Sequence, residues 1–249
     1  MGVIISKLID GVKYPARRIR SGIYSLPFLS NRRYCPVCCT SSSHFRKFGY
    51  KPRKDARCPH CNALERHRLL WLYLQKKTDL FRKKSLKVLH IAPASCFETK
   101  LKEHLGDNYL TADLNNPNVM VKMDITDIKY SDKTFDVILC SHVLEHIPDD
   151  RRAMRELFRV LSDKGWAILL VPITSDETFE DPTISTPEGQ LKAFGQEDHV
   201  RRYGPDYIDR LREAGFAVEM TKIIDLVNRK EAVRMGLTPE SGDIYYCTK

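Results

Sequence analysis

A group of acid, base and hydroxyl side chains directly follows a short apolar run at residues 135–140. Its members are Ser141, His142, Glu145 and His146. Paired β-forming residues over so short a length predict a central strand of a parallel sheet. Because ligands of open α/β sheets bind beside the carboxyl ends of strands, these side chains are candidate active-site residues. Histidine titrates near neutral pH, and Glu145 could accept a proton or orient a histidine.

A second polar group lies at the end of a long polar segment, residues 173–195. We predict no regular element there, and a long structureless segment inside a compact domain is often a lid. Residues 194–203 follow and concentrate acid/base and cationic groups, namely His199, Arg201, Arg202 and Tyr203. We expect His199 to reach the strand ends from this lid, with exposed loop groups as the alternative. For His146 we favour a cap on the following helix.

Strands and helices in alternation must position these groups. Apolar runs predict strands at residues 87–92, 109–113, 119–125, 135–140 and 166–171. Helical spacing at 150–161 and the repeated βα units predict right-handed crossovers and a parallel sheet. Asp113 and Asp124 end the second and third strands, where an acid of a doubly wound sheet can bind ribose hydroxyls. A helix at 207–214, capped by Gly215, and strands at 216–222 and 244–247 complete the predicted fold.

From residue 86 to residue 249 the chain resembles class I S-adenosylmethionine (SAM) dependent methyltransferases. The resemblance implies an α/β, Rossmann-like, seven-stranded sheet that ends in an antiparallel hairpin. It also implies a set of cofactor-binding residues. Asp113 with Leu114 would bind the ribose, Asp124 with Ile125 the adenine, His90 and Ala92 the methionine part, and Cys140, Ser141 and His142 the region of the sulfonium.

The first loop departs from the usual pattern of this family. Its residues 90–96 contain no glycine, and Pro93 has no N–H to donate to a ligand. The His-Ile-Ala-Pro sequence resembles a subgroup of these enzymes that carries an amino-terminal zinc module. The alternative is a non-catalytic protein that binds nucleic acid and retains the sheet only as a scaffold.

Methyl transfer from a sulfonium is an in-line displacement, for which the protein supplies positioning and a base. An oxygen or nitrogen nucleophile of the acceptor would lose its proton to this base. We expect His199 or His142 to be the base and Glu145 to assist it.

Two Cys-x-x-Cys pairs predict a zinc ribbon at residues 31–63. Nineteen residues separate the pairs, a spacing that suits four thiolate ligands. The predicted ligands are Cys35, Cys38, Cys58 and Cys61. Disulfide bonds are the alternative to metal ligation. Cys39 could replace Cys38 as a ligand, and we expect that His44 and His60 are not ligands. Four thiolates leave no coordination position open, so we expect a structural zinc.

Positive charge is concentrated in the amino-terminal third of the chain. Residues 1–87 hold 21 Lys and Arg against 4 Asp and Glu, whereas the whole chain has a formal net charge of +9. This asymmetry favours an anionic partner: an anionic methyl acceptor, nucleic acid or a membrane surface. Phe45, Phe48 and Tyr50 among these cations could stack on bases or form the core of the ribbon. A linking helix at residues 64–85, with an apolar stretch at 69–74, is expected to dock the ribbon onto the sheet domain.

The first 30 residues form a basic amphipathic pattern that could lie on an anionic membrane surface. Gly2 fits a myristoylation pattern. No apolar run approaches the 18 residues that a spanning helix requires. We therefore expect a cytoplasmic protein that associates with membranes at most peripherally.

Overall fold

The computed structural model describes residues 33–49 and 52–249. These described residues belong to one compact unit. The predicted amphipathic segment 1–30, the Gly2 pattern and Tyr50 lie outside the described residues. Within the described part, none of the helices combines the length and apolar character needed to cross a bilayer.

The cysteine-containing region consists of two small antiparallel hairpins. The first pairs β1 (Arg33–Cys35) with β2 (Thr40–Ser42), and the second pairs β3 (Arg46–Phe48) with β4 (Arg53–Arg57). Helix α1 (Glu65–Lys77) covers the first part of the linking helix predicted at 64–85, and residues 78–85 are not helical. Its residues from Leu69 through Leu74 are all buried, and Trp71 stacks on Phe97 with ring centroids 5.2 Å apart. The apolar stretch of this helix thus packs the hairpins onto the rest of the chain.

The main body alternates strands and helices along the chain. The strands are β5 (Val88–Ile91), β6 (Tyr109–Asp113), β7 (Val121–Lys122), β8 (Phe135–Ser141), β9 (Leu161–Leu170), β10 (Phe179–Glu180), β11 (Arg201–Arg202), β12 (Ala217–Thr221) and β13 (Ile244–Thr248). The helices are α2 (Ser95–Leu105), α3 (Asp150–Val160), α4 (Pro187–Phe194), α5 (Tyr207–Glu213), α6 (Ile223–Leu226) and α7 (Arg229–Arg234).

Seven of these strands form one sheet in the order β12-β13-β9-β8-β5-β6-β7. All pairs from β9 to β7 are parallel, whereas β13 is antiparallel to both β9 and β12. The predicted fold class, including the terminal antiparallel hairpin, is confirmed. The central strand β5 is fully buried, and β8 has four successive buried residues, as expected for strands covered on both faces.

Two strands differ in length from the prediction. β7 covers only two residues of the predicted 119–125, because the chain leaves the sheet edge before Asp124. β9 begins at Leu161, ahead of the predicted start at residue 166, and takes in residues 162–165. Its pairing with β8 is irregular there, with Phe135 opposite Leu161 and Val137 opposite Trp166. A Cβ on Gly165 would lie 2.8 Å from the carbonyl oxygen of Asp136, so this irregular pairing requires glycine.

The prediction that residues 173–195 lack regular structure is wrong. β10 pairs with β11, and α4 occupies residues 187–194. The hydroxyl of Thr186 accepts a hydrogen bond from the N–H of Gly189, and Pro187 stands at the first helical position. Thr-Pro is a helix-start signal that could have predicted α4 from sequence.

Candidate functional site

A cavity of about 440 Å³ opens at the carboxyl ends of β6 and β7. Four of the predicted cofactor residues line it: Asp113, Leu114, Asp124 and Ile125. Each of the two acids receives hydrogen bonds on its Oδ1 atom only. Oδ1 of Asp113 accepts from the N–H groups of Asn115 and Asn116 at 2.7 and 2.8 Å. Oδ1 of Asp124 accepts from the N–H and hydroxyl of Thr126, both at 2.8 Å. These bonds orient the carboxylates and leave Oδ2 of each available to a ligand.

A second cavity, of about 250 Å³, lies between the start of α1 and the ends of β5 and β8. The predicted residues His90, Ala92, Ser141 and His142 line it, together with Arg66, His67, Leu70, Ala94 and Phe97. His90 is buried, and its Nδ1 atom lies 2.8 Å from the hydroxyl of Tyr109. Cys140 lines neither cavity, because its thiol is buried in the core.

The two cavities are separated by consecutive residues of the same loops. Ile91 and Val143 line the first cavity, and their neighbours Ala92 and His142 line the second. Ala92 has a φ of 45° and His142 a φ of 58°, both in the left-handed region. Such a backbone costs a non-glycine residue of the order of 1–3 kcal/mol, and residues of this kind concentrate at functional sites. In the glycine-free first loop, Ala92 thus takes a conformation that usually favours glycine.

Arg66 is the cation of the second cavity. Its guanidinium makes no ion pair with any acid in the described part of the chain. Burial, the largest influence, lowers its pKa, but arginine stays protonated at any physiological pH. His67 beside it accepts a hydrogen bond from the N–H of Leu64, and burial lowers the pKa of His67 to about 3. The second cavity therefore presents one unpaired positive charge.

His142 and Glu145 form a pair at the end of β8. Nδ1 of His142 lies 3.3 Å from Oε1 of Glu145, and the Glu145 side chain is only 1% exposed. Burial lowers the pKa of His142, and the hydrogen bond with Glu145 offsets part of that effect. A lowered pKa favours the neutral ring, the state in which an imidazole can accept a proton.

His199 joins this pair from the far side of the predicted lid. Its ring packs edge-on against that of His146, with centroids 4.6 Å apart and planes at 87°. His199 is buried, as is Glu145, and among residues 33–49 and 52–249 neither Nε2 of His199 nor Oε2 of Glu145 has a hydrogen-bond partner. We expected His199 to reach the strand ends. It approaches Glu145, which follows β8, but it lines neither of the two cavities.

The interpretation of His146 as a helix cap is wrong. The cap of α3 is Asp149, whose carboxylate accepts a hydrogen bond from the N–H of Arg152. His146 instead ends a 3-10 turn, Leu144–His146, and its Nδ1 atom lies 3.2 Å from the carboxylate of Asp198. The aspartate at the correct cap position is the sequence signal that should have been preferred.

A buried charged network holds these segments together. The guanidinium of Arg201 donates to the carbonyls of Leu144, Ile147 and Pro148, which belong to the turn carrying Glu145 and His146. The N–H of Val200 donates to the carbonyl of Glu145 at 2.9 Å. The turn and the segment of His199 are therefore fixed to each other by backbone and side-chain bonds.

Two carboxylates complete this network. Asp150 accepts from the hydroxyl of Tyr203 at 2.5 Å and from Arg210 at 3.2 Å. Glu180, on β10, accepts from Arg201 and Arg210, both at 2.9 Å. Burial alone would raise the pKa of Glu180, but the hydrogen bonds from Arg210 and Arg201 outweigh it and lower the pKa to about 2. The segment predicted as a lid is thereby bonded to α3 and α5.

The four predicted zinc ligands converge in the hairpin region. The sulfur atoms of Cys35 and Cys61 are 3.6 Å apart, and those of Cys38 and Cys58 are 3.8 Å apart. A tetrahedral zinc with Zn–S bonds of about 2.3 Å would place its sulfurs about 3.8 Å apart. The group contains Cys38 and not Cys39, whose side chain is exposed. His44 and His60 lie outside the group and contact serine side chains.

Arg68 anchors this region to the chain's carboxyl-terminal part. It is fully buried and donates to the carbonyls of Ala56, Ala63, Met235 and Gly236. Its guanidinium also lies 4.4 Å from the centre of the Phe45 ring. Phe45 is thus part of the core, whereas Phe48 remains 38% exposed.

The structure brings together most of the predicted site residues and adds others. Asp113, Asp124, Ala92 and His142 all face one edge of the sheet. Sequence reasoning missed Arg66, because the linking helix lay outside the predicted catalytic domain. The charged first turn of that helix, at residues 65–68, was the available signal.

Comparisons with known proteins agree with this architecture. Residues 84–169 match the family model of a methyltransferase domain. A chloroplastic 2-methyl-6-phytyl-1,4-hydroquinone methyltransferase of Oryza sativa subsp. japonica is 30% identical over 112 residues, 41% of this chain and 34% of that protein. An uncharacterized protein of Methanocaldococcus jannaschii is 36% identical over 75 residues, 28% of this chain and 33% of that protein. The chain thus spans about a third of the length of these curated relatives.

Among solved structures, a SAM-dependent methyltransferase from Mesorhizobium loti has a similar fold. It aligns with a TM-score of 0.50 at 15% identity and covers 73% of this chain and 98% of its own. This likeness concerns the fold. The family match over residues 84–169 and the order of the seven-stranded sheet together give this chain the Rossmann-like fold of class I methyltransferases.

Proposed function

We propose that the protein is a SAM-dependent methyltransferase that transfers the methyl group to an oxygen or nitrogen of an anionic acceptor. The observation that carries the proposal is the pair of cavities at the carboxyl ends of β5, β6 and β8. One presents two oriented carboxylates and the other one unpaired cation. An elongated ligand with a ribose and an adenine at one end and an amino-acid carboxylate at the other matches this distribution of charge.

In this proposal Asp113 accepts hydrogen bonds from the ribose hydroxyls, with Leu114 packing beside it. Asp124 accepts one from the adenine amine, with Ile125 at the ring. These assignments follow from the free Oδ2 atoms of both acids and from the apolar residues between them. Arg66 pairs with the carboxylate of the methionine part, as a guanidinium does in charge-assisted hydrogen bonds. The positive charge from α1 replaces donors that a glycine-rich first loop would supply.

SAM, when bound, supplies an activated methyl carbon. The residues of the chain exclude water, orient the acceptor and take its proton. His142 is suited to the role of base because burial lowers its pKa, which favours the neutral ring, and because it lies at the wall of the second cavity. Glu145 holds the Nδ1 side of His142, which orients the ring as a carboxylate does in other base dyads.

The cysteine group is proposed to hold a structural zinc. The matching sulfur separations and the absence of an open coordination position support this role. The surrounding surface supports an anionic acceptor, since Arg46, Lys47 and Lys54 are exposed on the hairpin of β3 and β4. Phosphorylated or acidic saccharide precursors and RNA are the acceptor classes that this charge favours.

The alternative is a non-catalytic protein that binds nucleic acid through the hairpin region. The exposed Phe48, with the Arg57 guanidinium 5.3 Å from its ring centre, is the observation that favours it. Such a pair could stack on a base.

Calorimetric titration of the zinc-loaded protein with SAM tests the proposal. We expect binding that weakens about tenfold or more in Asp113→Ala and in Arg66→Met, because a charge-assisted hydrogen bond contributes about 1.5–3 kcal/mol. Asp107→Ala, which removes an equivalent but fully exposed acid, is the matched control. A second ligand, 5′-methylthioadenosine, lacks the amino-acid carboxylate. Its affinity should fall in Asp113→Ala and stay unchanged in Arg66→Met.

Absence of SAM binding by correctly folded protein would overturn the cofactor assignment and leave the nucleic-acid-binding alternative. Filter binding with RNA would then be the next measurement. Equal losses of methylthioadenosine affinity in both variants would refute the role given to Arg66.

A further inference from the structure

Three side chains outside the cysteine group converge with metal-binding atoms. Ligand atoms of Glu145, His146 and His199 all lie within 4.8 Å of one another. Two imidazoles and one carboxylate form a common ligand set for Zn²⁺, Fe²⁺ and similar ions. Such sets leave positions open for water or substrate.

Two of these ligands are buried with atoms that nothing in the described chain satisfies. Oε2 of Glu145 and Nε2 of His199 have no hydrogen-bond partner, and the residues are 1% and 5% exposed. Leaving a buried polar atom unpaired costs about 1–3 kcal/mol, and more for a charged group. Buried groups of this kind are rare in folded proteins and call for an explanation. A cation bound between the carboxylate and the imidazole removes both unpaired atoms at once.

The cluster is also held rigidly. Arg201 bonds three carbonyls of the turn that carries Glu145 and His146. The N–H of Val200, adjacent to His199, donates to the carbonyl of Glu145. The carboxylate of Asp198 lies 3.2 Å from Nδ1 of His146 and supplies an acidic neighbour outside the three ligands. A metal site needs this support, because outer groups orient the ligands and tune their affinity.

The competing explanation is a buried polar cluster without a ligand. In such a cluster the carboxylate and the rings would bond each other. Here Glu145 uses only Oε1, toward His142, and its Oε2 has no partner. The nearby carboxylates of Asp150 and Glu180 show what a buried cluster without a ligand looks like. Both oxygens of each accept hydrogen bonds from side chains of the protein.

We propose that Glu145, His146 and His199 bind one divalent first-row transition-metal ion, distinct from the zinc assigned to the four cysteines. His142 lies beside the second cavity and contacts Glu145, so the ion stands next to the proposed methyl-transfer site. Its role rests on the proposed function: of the three ligands His146 lines the first cavity, so an ion held here would be available to an oxygen of the acceptor.

Cobalt titration of the zinc-loaded protein tests the site directly. We expect one Co²⁺ per chain with ligand-field bands of nitrogen and oxygen ligation and no thiolate-to-metal charge-transfer band. Changes in outer groups alone cost metal sites about 10–100-fold in affinity, so His199→Ala and Glu145→Gln should each weaken Co²⁺ binding at least about tenfold. His44→Ala, an imidazole outside both ligand groups, should leave it unchanged. Circular dichroism of each variant verifies folding, and His146→Ala provides a third variant that alters a half-buried position.

No Co²⁺ binding by folded wild-type protein, or binding that survives His199→Ala, would overturn the site. Growth of a thiolate charge-transfer band alone would mean exchange at the cysteines and would overturn it as well. Calorimetry with SAM on the same samples separates the two proposals. SAM binding without Co²⁺ binding refutes only the metal site, and Co²⁺ binding without SAM binding refutes only the methyltransferase function.

Discussion

Two groups of metal-type ligands converge in this chain by different routes. The four cysteines come from two short motifs, each of which places its two thiols within one tight turn. Glu145 and His146 come from a turn after β8, and His199 reaches them from the far end of a long connection. The first group has four ligands and no open position, whereas the second has three ligands and two unpartnered buried atoms. Four protein ligands fill the coordination positions of a tetrahedral metal, which suits a structural role. Three ligands leave a position open to water or substrate.

The groups also differ in how they are supported. Arg68 holds the hairpins of the cysteine group through hydrogen bonds to backbone carbonyls and through its contact with the Phe45 ring. Arg201 holds the turn of the histidine group, and it is in turn paired with the carboxylate of Glu180. The arginine that supports the histidine group is therefore itself held by a carboxylate, whereas Arg68 has no ion pair among the described residues.

The largest expected effect comes from breaking the cysteine group. Cys58→Ser should abolish zinc binding and lower the free energy of unfolding by at least about 5 kcal/mol, because the binding energy of a structural zinc is folding energy. Metal analysis and urea unfolding measure the two effects. Cys39→Ser, which changes a neighbouring exposed thiol, should retain full zinc content. Loss of zinc in that control would mean that Cys39 is a ligand and that the arrangement of the group differs.

A smaller effect is expected from removing the support of the histidine group. Arg201→Met leaves Asp150 and Glu180 with one cationic partner fewer and frees three carbonyls of the Glu145 turn. Breaking a buried ion pair costs about 3–5 kcal/mol, so the free energy of unfolding should fall by this amount. Arg212→Ala, an exposed arginine paired with Asp209, should change it by about 1 kcal/mol or less. Equal effects of the two variants would show that the network contributes no more than a surface pair.

The smallest expected effect is on the pH dependence of stability, which involves Glu180 in the support of the histidine group. The pKa of Glu180 is about 2 in the folded protein, below its ordinary value of about 4.3 in unfolded chains. Its contribution to stability is therefore fully present above the unfolded pKa and is lost as the pH falls from about 4.5 toward 2. Glu180→Gln should give a flatter dependence of unfolding free energy on pH in that window. Parallel curves for the wild type and the variant would contradict the assigned shift.

Much of the fold was predictable because its signals are local. The apolar runs that became β5, β6 and β8 are short, β-rich and followed by polar residues, and the helical spacing of α1, α3 and α5 matched their positions. The strand around residues 119–125 was overestimated, since its apolar pattern continued past the point where the chain leaves the sheet. The segment 173–195 was misread because its polar composition concealed the start signal of α4.

The site was predictable in part. Asp113 ends β6, His142 directly follows β8 and Asp124 lies two residues past the end of β7, so the parallel sheet brings all three to one edge. Arg66 could not be assigned to this edge, since its place depends on how α1 packs against Phe97 and the sheet. His199 lies in no motif of its own, and its contact with His146 depends on the bonds of Arg201 and Val200.

The sequence by itself determined the sheet elements, the four-thiol group and the acids at the strand ends, because each depends on spacing within one element or one turn. Only the tertiary structure decided that Arg66 faces the second cavity and that His199 meets Glu145 and His146. Those contacts join elements far apart in the chain, and burial and long-range hydrogen bonds, which have no local sequence pattern, select them.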